Sequence, residues 1–288
     1  EITTYLEHTL TSELSANVVD LCPVGALTFR PFAFTARPWE LRKTESVDVM
    51  DAVGSNIRVD TRGREVMRIL PRLNEDVNEE WISDKTRFIW DGLKTQRLDR
   101  PYIRENGKLR EASWEEAFAA VGAKGERSGG SVGDLAAAEE MEALKDLWAK
   151  LGSANIDCRQ DGAKLGGARS SYIFNSTIAG IEQADVILII GSDPRREAPV
   201  LNARIRKRFR AGGLKVGVIG PRLDLTYPYD HLGAGTQTLS ELVVGKGFAE
   251  ALKGAQNAMI IVGQGALTRK DGAAVLAASI ALAKATGA

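Results

Sequence analysis

Four side chains could bind a metal through a thiolate or an imidazole, namely Cys22, Cys158, His8 and His231. No two of them are close in sequence, and a closed structural zinc site would need all four to converge. Two isolated cysteines among 288 residues argue against a disulfide framework and predict a reducing compartment. Cys158 has no neighbouring thiol or activating motif, and no nucleophile motif can be paired with His231. We therefore interpret Cys158 as a core or semi-buried residue and His231 as a structural histidine.

Cys22 differs from the others because a proline follows it directly at the end of a predicted helix. The sequence from Val19 to Ala26 reads Val-Asp-Leu-Cys-Pro-Val-Gly-Ala. This form is typical of the last thiolate ligand of a ferredoxin-type cluster, where proline ends the helix and small residues let the backbone approach the sulfides. One thiolate cannot hold a cluster, so the motif alone leaves open both a cluster ligand and a chance Cys-Pro pair.

Three predicted apolar strands end in glycine, at Gly191, Gly220 and Gly263. Ligands of parallel α/β sheets bind at such strand ends, so a nucleotide site is one interpretation. The third strand continues as Gly-Gln-Gly, like a dinucleotide fingerprint, but Thr268 stands in place of the last glycine. Pro221 removes an N–H that could have met a phosphate. We interpret the glycines as tight turns and predict that neither NAD nor a pterin binds there.

The elements that must position these residues begin with a β-rich half. Apolar residues at helical spacing predict a helix over Thr3–Leu21, with Thr11 or Ser12 as a possible cap or break. Prolines and aromatic residues over 29–45 are typical of an extended linker. Residues 46–112 read as short strands, with hairpins around Gly63 and around the Asn-Gly pair at 106–107. This stretch is predicted to be a small β-rich module.

Helices and apolar strands alternate beyond residue 113. A capping box at Ser113 and Glu116 starts one helix, and a Gly/Ser-rich break follows at 124–133. Strands are predicted over 185–190, 214–219 and 259–262, with helices over 134–151, 178–184, 199–210 and 271–285. Continuously apolar strands separated by helices indicate a parallel sheet covered on both faces. The predicted fold class is α/β.

Composition excludes two classes of partner. The 38 basic and 38 acidic residues cancel, which argues against a nucleic-acid or membrane-surface protein. The basic run Arg204–Arg210 is interleaved with apolar residues four apart, so we interpret its charges as exposed faces of an amphipathic helix. No apolar run approaches the ~20 residues that cross a bilayer, so no direct membrane insertion is expected. The sequon Asn175–Thr177 is inert in a reducing compartment. The start at Glu1 suggests a fragment.

Several longer stretches together resemble one known family. They are Cys22–Thr28, Pro31–Ser46, Val53–Asn56, Asn78–Phe88, Asn175–Val186, Glu197–Lys207, Leu225–Gly233 and Asp271–Ala274. They closely resemble the large iron-sulfur subunit of respiratory complex I, the 75 kDa subunit of NADH-quinone oxidoreductase, in its alphaproteobacterial and mitochondrial form. The resemblance covers nearly the whole sequence.

The resemblance implies four segments. Residues 1–28 would be the end of a ferredoxin-like iron-sulfur region, and 29–45 a linker. Residues 46–112 would match the cluster-binding module of molybdopterin enzymes without its cluster, and 113–288 a partial molybdopterin-oxidoreductase-like domain with a parallel sheet.

The resemblance also implies the cofactors. Cys22 matches the last ligand of a [4Fe-4S] cluster whose other three cysteines precede Glu1 in the family, and the full-length member carries further [4Fe-4S] and [2Fe-2S] clusters. Some relatives hold an additional cluster at positions that read Asp48, Asp51, Ser55 and Ser83 here. None of these supplies a thiolate, so that cluster is expected to be missing, as is molybdopterin.

The implied function is electron transfer from NADH and flavin through iron-sulfur clusters towards quinone. The implied partners are other peripheral-arm subunits, including the flavin-bearing NADH-binding subunit and the subunits nearer quinone. The implied location is the cytoplasmic face of the bacterial inner membrane, or the matrix side of the mitochondrial one. The alternative is a cofactor-free structural scaffold. A true molybdopterin enzyme is disfavoured because no metal-ligating cysteine or catalytic histidine is recognisable.

Overall fold

The computed structural model describes residues 8–158 and 161–288. The chain forms two compact units, one made of Glu1–Trp90 with Ala163–Ala288 and the other of Asp91–Gly162. Residues 91–112, assigned from sequence to the β-rich module, therefore belong to the same unit as the first helices beyond residue 113. The bounds of the four segments that the resemblance implies stay a prediction.

The first helix is much shorter than its apolar spacing predicts. Helix α1 spans Asn17–Leu21. Residues 8–16 form loops and turns, so the predicted helix is wrong there, and residues 3–7 lie outside the described part of the chain. The reason is local, because the Ser12 hydroxyl accepts the Leu14 N–H and the Ser15 hydroxyl donates to the Ser12 carbonyl. Such side-chain bonds compete with helix formation.

Three antiparallel strands follow, β1 Arg42–Val47, β2 Asn56–Arg62 and β3 Glu65–Pro71, in the order β1-β2-β3. The predicted hairpin around Gly63 is confirmed. Strand β1 begins within residues 29–45, so the end of the predicted linker is a strand instead. The sequence of β1 does not alternate between apolar and polar residues, because all its side chains are exposed at the sheet edge. Isoleucines pack beneath the sheet. Helix α2, Asp84–Phe88, then begins at Ser83, whose hydroxyl accepts the Thr86 N–H.

The second unit contains the second predicted hairpin and the predicted capping box. Its elements are β4 Tyr102–Glu105, β5 Lys108–Glu111, α3 Trp114–Gly122, β6 Gly130–Ser131, α4 Ala138–Lys150 and β7 Ile156–Asp157. Ser113 and Glu116 exchange side-chain bonds to each other's backbone, as their spacing predicts. The Gly/Ser-rich break holds the two-residue strand β6, which pairs in parallel with β7.

The predicted parallel sheet is confirmed in the remainder of the first unit. Its elements in chain order are β8 Val186–Ile190, α5 Pro194–Glu197, α6 Pro199–Arg210, β9 Lys215–Ile219, β10 Asp230–Gly233, α7 Thr236–Val243, α8 Phe248–Gly254, β11 Ala258–Val262, α9 Gln264–Leu267 and α10 Gly272–Thr286. The strand order is β10-β9-β8-β11, all parallel. β8 is buried along its whole length. Sequence patterns missed β10, α7 and α8.

Both faces of this sheet are covered by helices, as its continuously apolar strands predict. Leu188 and Ile190 pack with residues of α7, α8 and α10, whereas Ile187 and Ile189 pack with Ile205 of α6. Short 3-10 turns lie at Pro38–Glu40, Ile89–Leu93, Gly125–Arg127, Arg169–Ser171 and Ala179–Gln183. Within the described residues, no helix is both long and apolar enough to cross a bilayer.

Candidate functional site

Cys22 lies where α1 ends, as the Cys-Pro pair predicts. Its backbone is extended, and its N–H contacts the Val19 carbonyl oxygen at 3.3 Å. The pKa of its thiol is held below the ordinary value by backbone N–H groups, foremost those of Leu27 and Val24, while burial acts in the opposite direction. Amides aimed at sulfur favour the thiolate, which is the metal-binding form of cysteine. We name residues 22–28 the Cys22 loop.

The helix that leads into the Cys22 loop is held by residues far along the chain. The Asn17 side chain donates to the Ile82 carbonyl at 2.8 Å and accepts the Ile82 N–H at 3.2 Å. The Asp84 carboxylate accepts the Ala16 N–H at 2.9 Å, and the Asp84 N–H donates to the Glu13 carbonyl. These buried and half-buried bonds attach α1 to α2. No sequence pattern pointed to Asn17 or Asp84.

The remaining soft donors lie in different surroundings. His8 and Cys158 are exposed, so the prediction that Cys158 is a core or semi-buried residue is wrong. His231 is half-buried in β10, with Nε2 2.8 Å from the Gly220 carbonyl oxygen. In the two described ranges, no three His, Cys, Asp or Glu side chains form a group that could hold a metal ion. Cys22 alone would fit a single corner of a cluster, and such a cluster would need three further thiolates.

The structure gathers the positions Asp48, Ser55 and Ser83 around Thr86. The Thr86 hydroxyl donates to the Asp48 carboxylate at 2.7 Å, and the Thr86 and Ser83 hydroxyl oxygens lie 2.8 Å apart. The Asp48 N–H donates to the Ser55 carbonyl at 2.8 Å. All four side chains are buried. These oxygen atoms include no soft donor for an iron-sulfur cluster.

Asp51 completes this group of substituted positions. Burial raises the pKa of its carboxyl, against the bond from the Val53 N–H, and the nearby Asp48 carboxylate raises it further. Its Oδ2 and the Ser55 hydroxyl have no hydrogen-bond partner among the described residues. The Asp51 carboxyl therefore holds a proton more readily than an exposed aspartate does.

The glycine-ended strands border a cavity of about 310 Å³ at the carboxyl end of the parallel sheet. Gly191 has φ +60°, and a Cβ there would lie 2.6 Å from Ala266 Cβ. A Cβ on Gly263 would lie 2.4 Å from the Gly191 carbonyl oxygen. Gly191 is thus required by its close approach to Ala266, and Gly263 by its close approach to the Gly191 carbonyl. Thr268 ends α9 and donates its hydroxyl to the Gly265 carbonyl.

The basic run on α6 corrects one expectation. Arg204 is buried and donates to the backbone carbonyls of Glu75 and Val77, while also pairing with Glu182. Arg208 is largely covered and donates to the Ala184 carbonyl. The prediction that this run only decorates exposed faces is therefore wrong for these two. Their guanidinium groups donate hydrogen bonds to backbone carbonyls elsewhere in the chain, and helical spacing does not predict such contacts.

Three family models match the chain. The molybdopterin oxidoreductase model matches residues 97–288. The model described as the NADH-ubiquinone oxidoreductase NDSU1/NuoG-like 4Fe-4S domain matches 41–91, a stretch without cysteine. The ferredoxin-like domain of NADH-quinone oxidoreductase subunit 3 matches residues 1–28, which contain Cys22.

Curated relatives match nearly the whole chain. A mitochondrial protein of Solanum tuberosum named NADH dehydrogenase (ubiquinone) iron-sulfur protein 1 is 54% identical, covering 99% of this chain and 40% of its own length. The mitochondrial 78 kDa subunit of NADH-ubiquinone oxidoreductase from Neurospora crassa is 53% identical, covering 94% and 38%. The chain therefore spans about two fifths of these relatives. Among solved structures, acetylene hydratase from Pelobacter acetylenicus has a TM-score of 0.56 at 13% identity, over 84% of this chain and 43% of that one, a likeness of fold alone.

Proposed function

Because the chain belongs to the molybdopterin oxidoreductase family and resembles the large iron-sulfur subunit of NADH-quinone oxidoreductase over nearly its whole length, we propose that it is part of an electron-transfer subunit of that enzyme. The comparisons confirm the family resemblance and the α/β fold class read from sequence. The observation that carries the proposal is the 54% identity to a named iron-sulfur relative across the segment that holds Cys22.

Within this proposal, Cys22 is the thiolate that this chain contributes to a [4Fe-4S] cluster. The amides of Leu27 and Val24 stabilise the charged sulfur. A bound cluster would supply one-electron storage, and the chain's part is to hold that ligand at a fixed place. The other clusters of the subunit, including [2Fe-2S], have no ligand in this sequence, whose second cysteine is the exposed Cys158.

The proposal extends to organisation, partners and location. We propose the segments 1–28, 29–45, 46–112 and 113–288 with the identities that the resemblance implies. The partners would be the flavin-bearing NADH-binding subunit and the subunits nearer quinone, on the cytoplasmic face of a bacterial inner membrane or the matrix side of a mitochondrial one. The relatives' names favour electron transfer over a cofactor-free scaffold.

Two cysteine substitutions in the full-length subunit test the proposal. Cys22→Ala should remove one tetranuclear signal from the electron paramagnetic resonance spectrum and reduce NADH-to-quinone electron flow. Cys158→Ala is the matched control, because this exposed thiol belongs to no ligand group of the described residues, and it should change neither. Unchanged spectra and turnover in Cys22→Ala would refute the assignment of Cys22.

A further inference from the structure

A buried guanidinium lies against the segments on both sides of the Cys22 loop. Arg87, on α2, is 2% exposed. Its Nη2 donates to the Asn17 side-chain oxygen at 2.8 Å and to the Asp20 carboxylate at 2.7 Å. Its guanidinium carbon lies 4.7 Å from the centre of the Phe29 ring, over the ring face. One cation thus contacts the helix before the loop and the aromatic residue directly after it.

These contacts tie Arg87 to a residue that is close to Cys22 along the chain. Asp20 is two residues before Cys22, so their Cα atoms are at most about 7 Å apart. The Phe29 ring meets the ring of Phe88, the neighbour of Arg87, edge to face at 6.1 Å. The loop is therefore held at its start by two hydrogen bonds and at its end by two aromatic contacts, all from α2.

Fold stability is a poor explanation for this arginine. Its Nε and Nη1 have no hydrogen-bond partner in the described part of the chain, although both are buried. Buried charges and unpaired donors are costly, and an apolar side chain of similar volume often stabilises a fold as well or better. Helix α2 could be packed without a cation, so the charge itself calls for a role.

We propose that Arg87 is the positioning residue for Cys22, clamping the loop at both ends and offsetting the negative charge of Asp20 two residues before the ligand. The inference rests on the proposed function, since the charge matters only if Cys22 holds a cluster. A fixed positive charge stabilises the reduced, more negative form of a cluster, so it raises the reduction potential. The clamp keeps the amides of the loop aimed at the sulfur.

Hydrogen exchange on the chain itself tests the clamp without any cluster. In Arg87→Met the amides of residues 22–28 should exchange at least about tenfold faster, while those of β8 stay unchanged. Arg196→Met is the matched control, because that side chain is exposed and forms only a 3.8 Å ion pair. If Arg87→Met fails to fold, Asp20→Asn, which removes one charged acceptor at constant shape, should loosen the same amides. Unchanged exchange in the loop of the folded variant overturns the proposal.

The reduction potential of the tetranuclear signal, measured in the assembled complex, tests the charge. Arg87→Met should lower it by about 59 mV, a tenfold change in the reduction constant of a one-electron couple, and Arg87→Lys should restore most of that shift. A potential that does not move in Arg87→Met overturns the electrostatic role. If Cys22→Ala removes no signal, the cluster assignment fails instead, and the exchange result still decides whether the clamp exists.

Discussion

Replacing Asp60 should destabilise the β1–β3 sheet more than any exposed acidic substitution. The Asp60 side chain is fully buried on the central strand β2, where it accepts N–H groups from Arg58 at 2.8 and 3.1 Å and from Arg68 at 2.8 Å. Burial raises the pKa of this carboxyl, but the bonds and charges of the two arginines outweigh burial and hold the pKa below its ordinary value. The carboxylate is therefore the form that the folded sheet prefers.

The magnitude follows from the bonds that each variant loses. An amide oxygen in Asp60→Asn can keep two of the three bonds, and the lost bond to a charged donor costs about 1.5–3 kcal/mol. Asp60→Ala leaves both guanidinium groups unpaired, which costs about 3–5 kcal/mol for fully buried pairs. Water reaches the arginines, whose side chains are 32% and 17% exposed, so we expect the lower end of both ranges.

Urea denaturation followed by tryptophan fluorescence measures these losses in the free energy of unfolding. Asp230→Asn is the control, because Asp230 and Lys215 are 3.7 Å apart and both more than half exposed, which predicts less than about 0.5 kcal/mol. A lowered carboxyl pKa stabilises the fold above the unfolded value near 3.9 and loses that effect as the pH falls through the folded value. The Asp60→Asn deficit should thus persist at pH 5 and shrink below pH 3.9. A deficit no larger than that of Asp230→Asn would refute this account.

Three further predictions concern packing and ligands. Gly217→Ala puts a Cβ 2.8 Å from the Phe248 ring and should cost about 1–3 kcal/mol of stability, part of which Phe248→Leu recovers in the double variant; purely additive losses would contradict the clash. Anaerobic reconstitution of this chain alone should leave iron and sulfide substoichiometric, because one thiolate at Cys22 competes with solvent at three open iron positions; a stoichiometric brown [4Fe-4S] protein would overturn this. Calorimetric titration with NADH or molybdopterin guanine dinucleotide should show nothing tighter than the millimolar range, and saturable micromolar binding of either would count against it.

Sequence patterns predicted elements whose determinants are local. The Ser113 capping box, the hairpin at Gly63 and helix Pro199–Arg210 each depend on residues within a few positions, and the structure has all three. The Cys-Pro pair likewise marks the end of α1. Periodicity failed where a local bond or a distant partner decides the outcome. Ser12 stops the first helix through its own hydroxyl, and β1 is an edge strand without an apolar face.

The residues that hold α1 and the Cys22 loop in place could not be predicted, because their partners are distant in sequence. Asn17 meets Ile82 across 65 residues and Arg87 across 70. Arg204 reaches the carbonyl of Val77 across 127. No spacing rule relates residues so far apart, whereas the proposed ligand Cys22 carries a two-residue signature. The place of Cys22 at the end of α1 was therefore predictable, and the contacts that hold it there were not.

The hydrogen bond between Asn17 and Ile82 also sets the order in which parts of the chain can fold during synthesis. A ribosome adds about 5–20 residues per second, so roughly 3–13 s separate the synthesis of the two partners. During that interval the nascent chain already carries the Cys22 thiol, but α2 does not yet exist to hold α1. Iron and sulfide delivered in this window would meet a loop without its clamp. Under the proposed function, insertion of a cluster at Cys22 would therefore follow the emergence and folding of the β1–β3 sheet and α2.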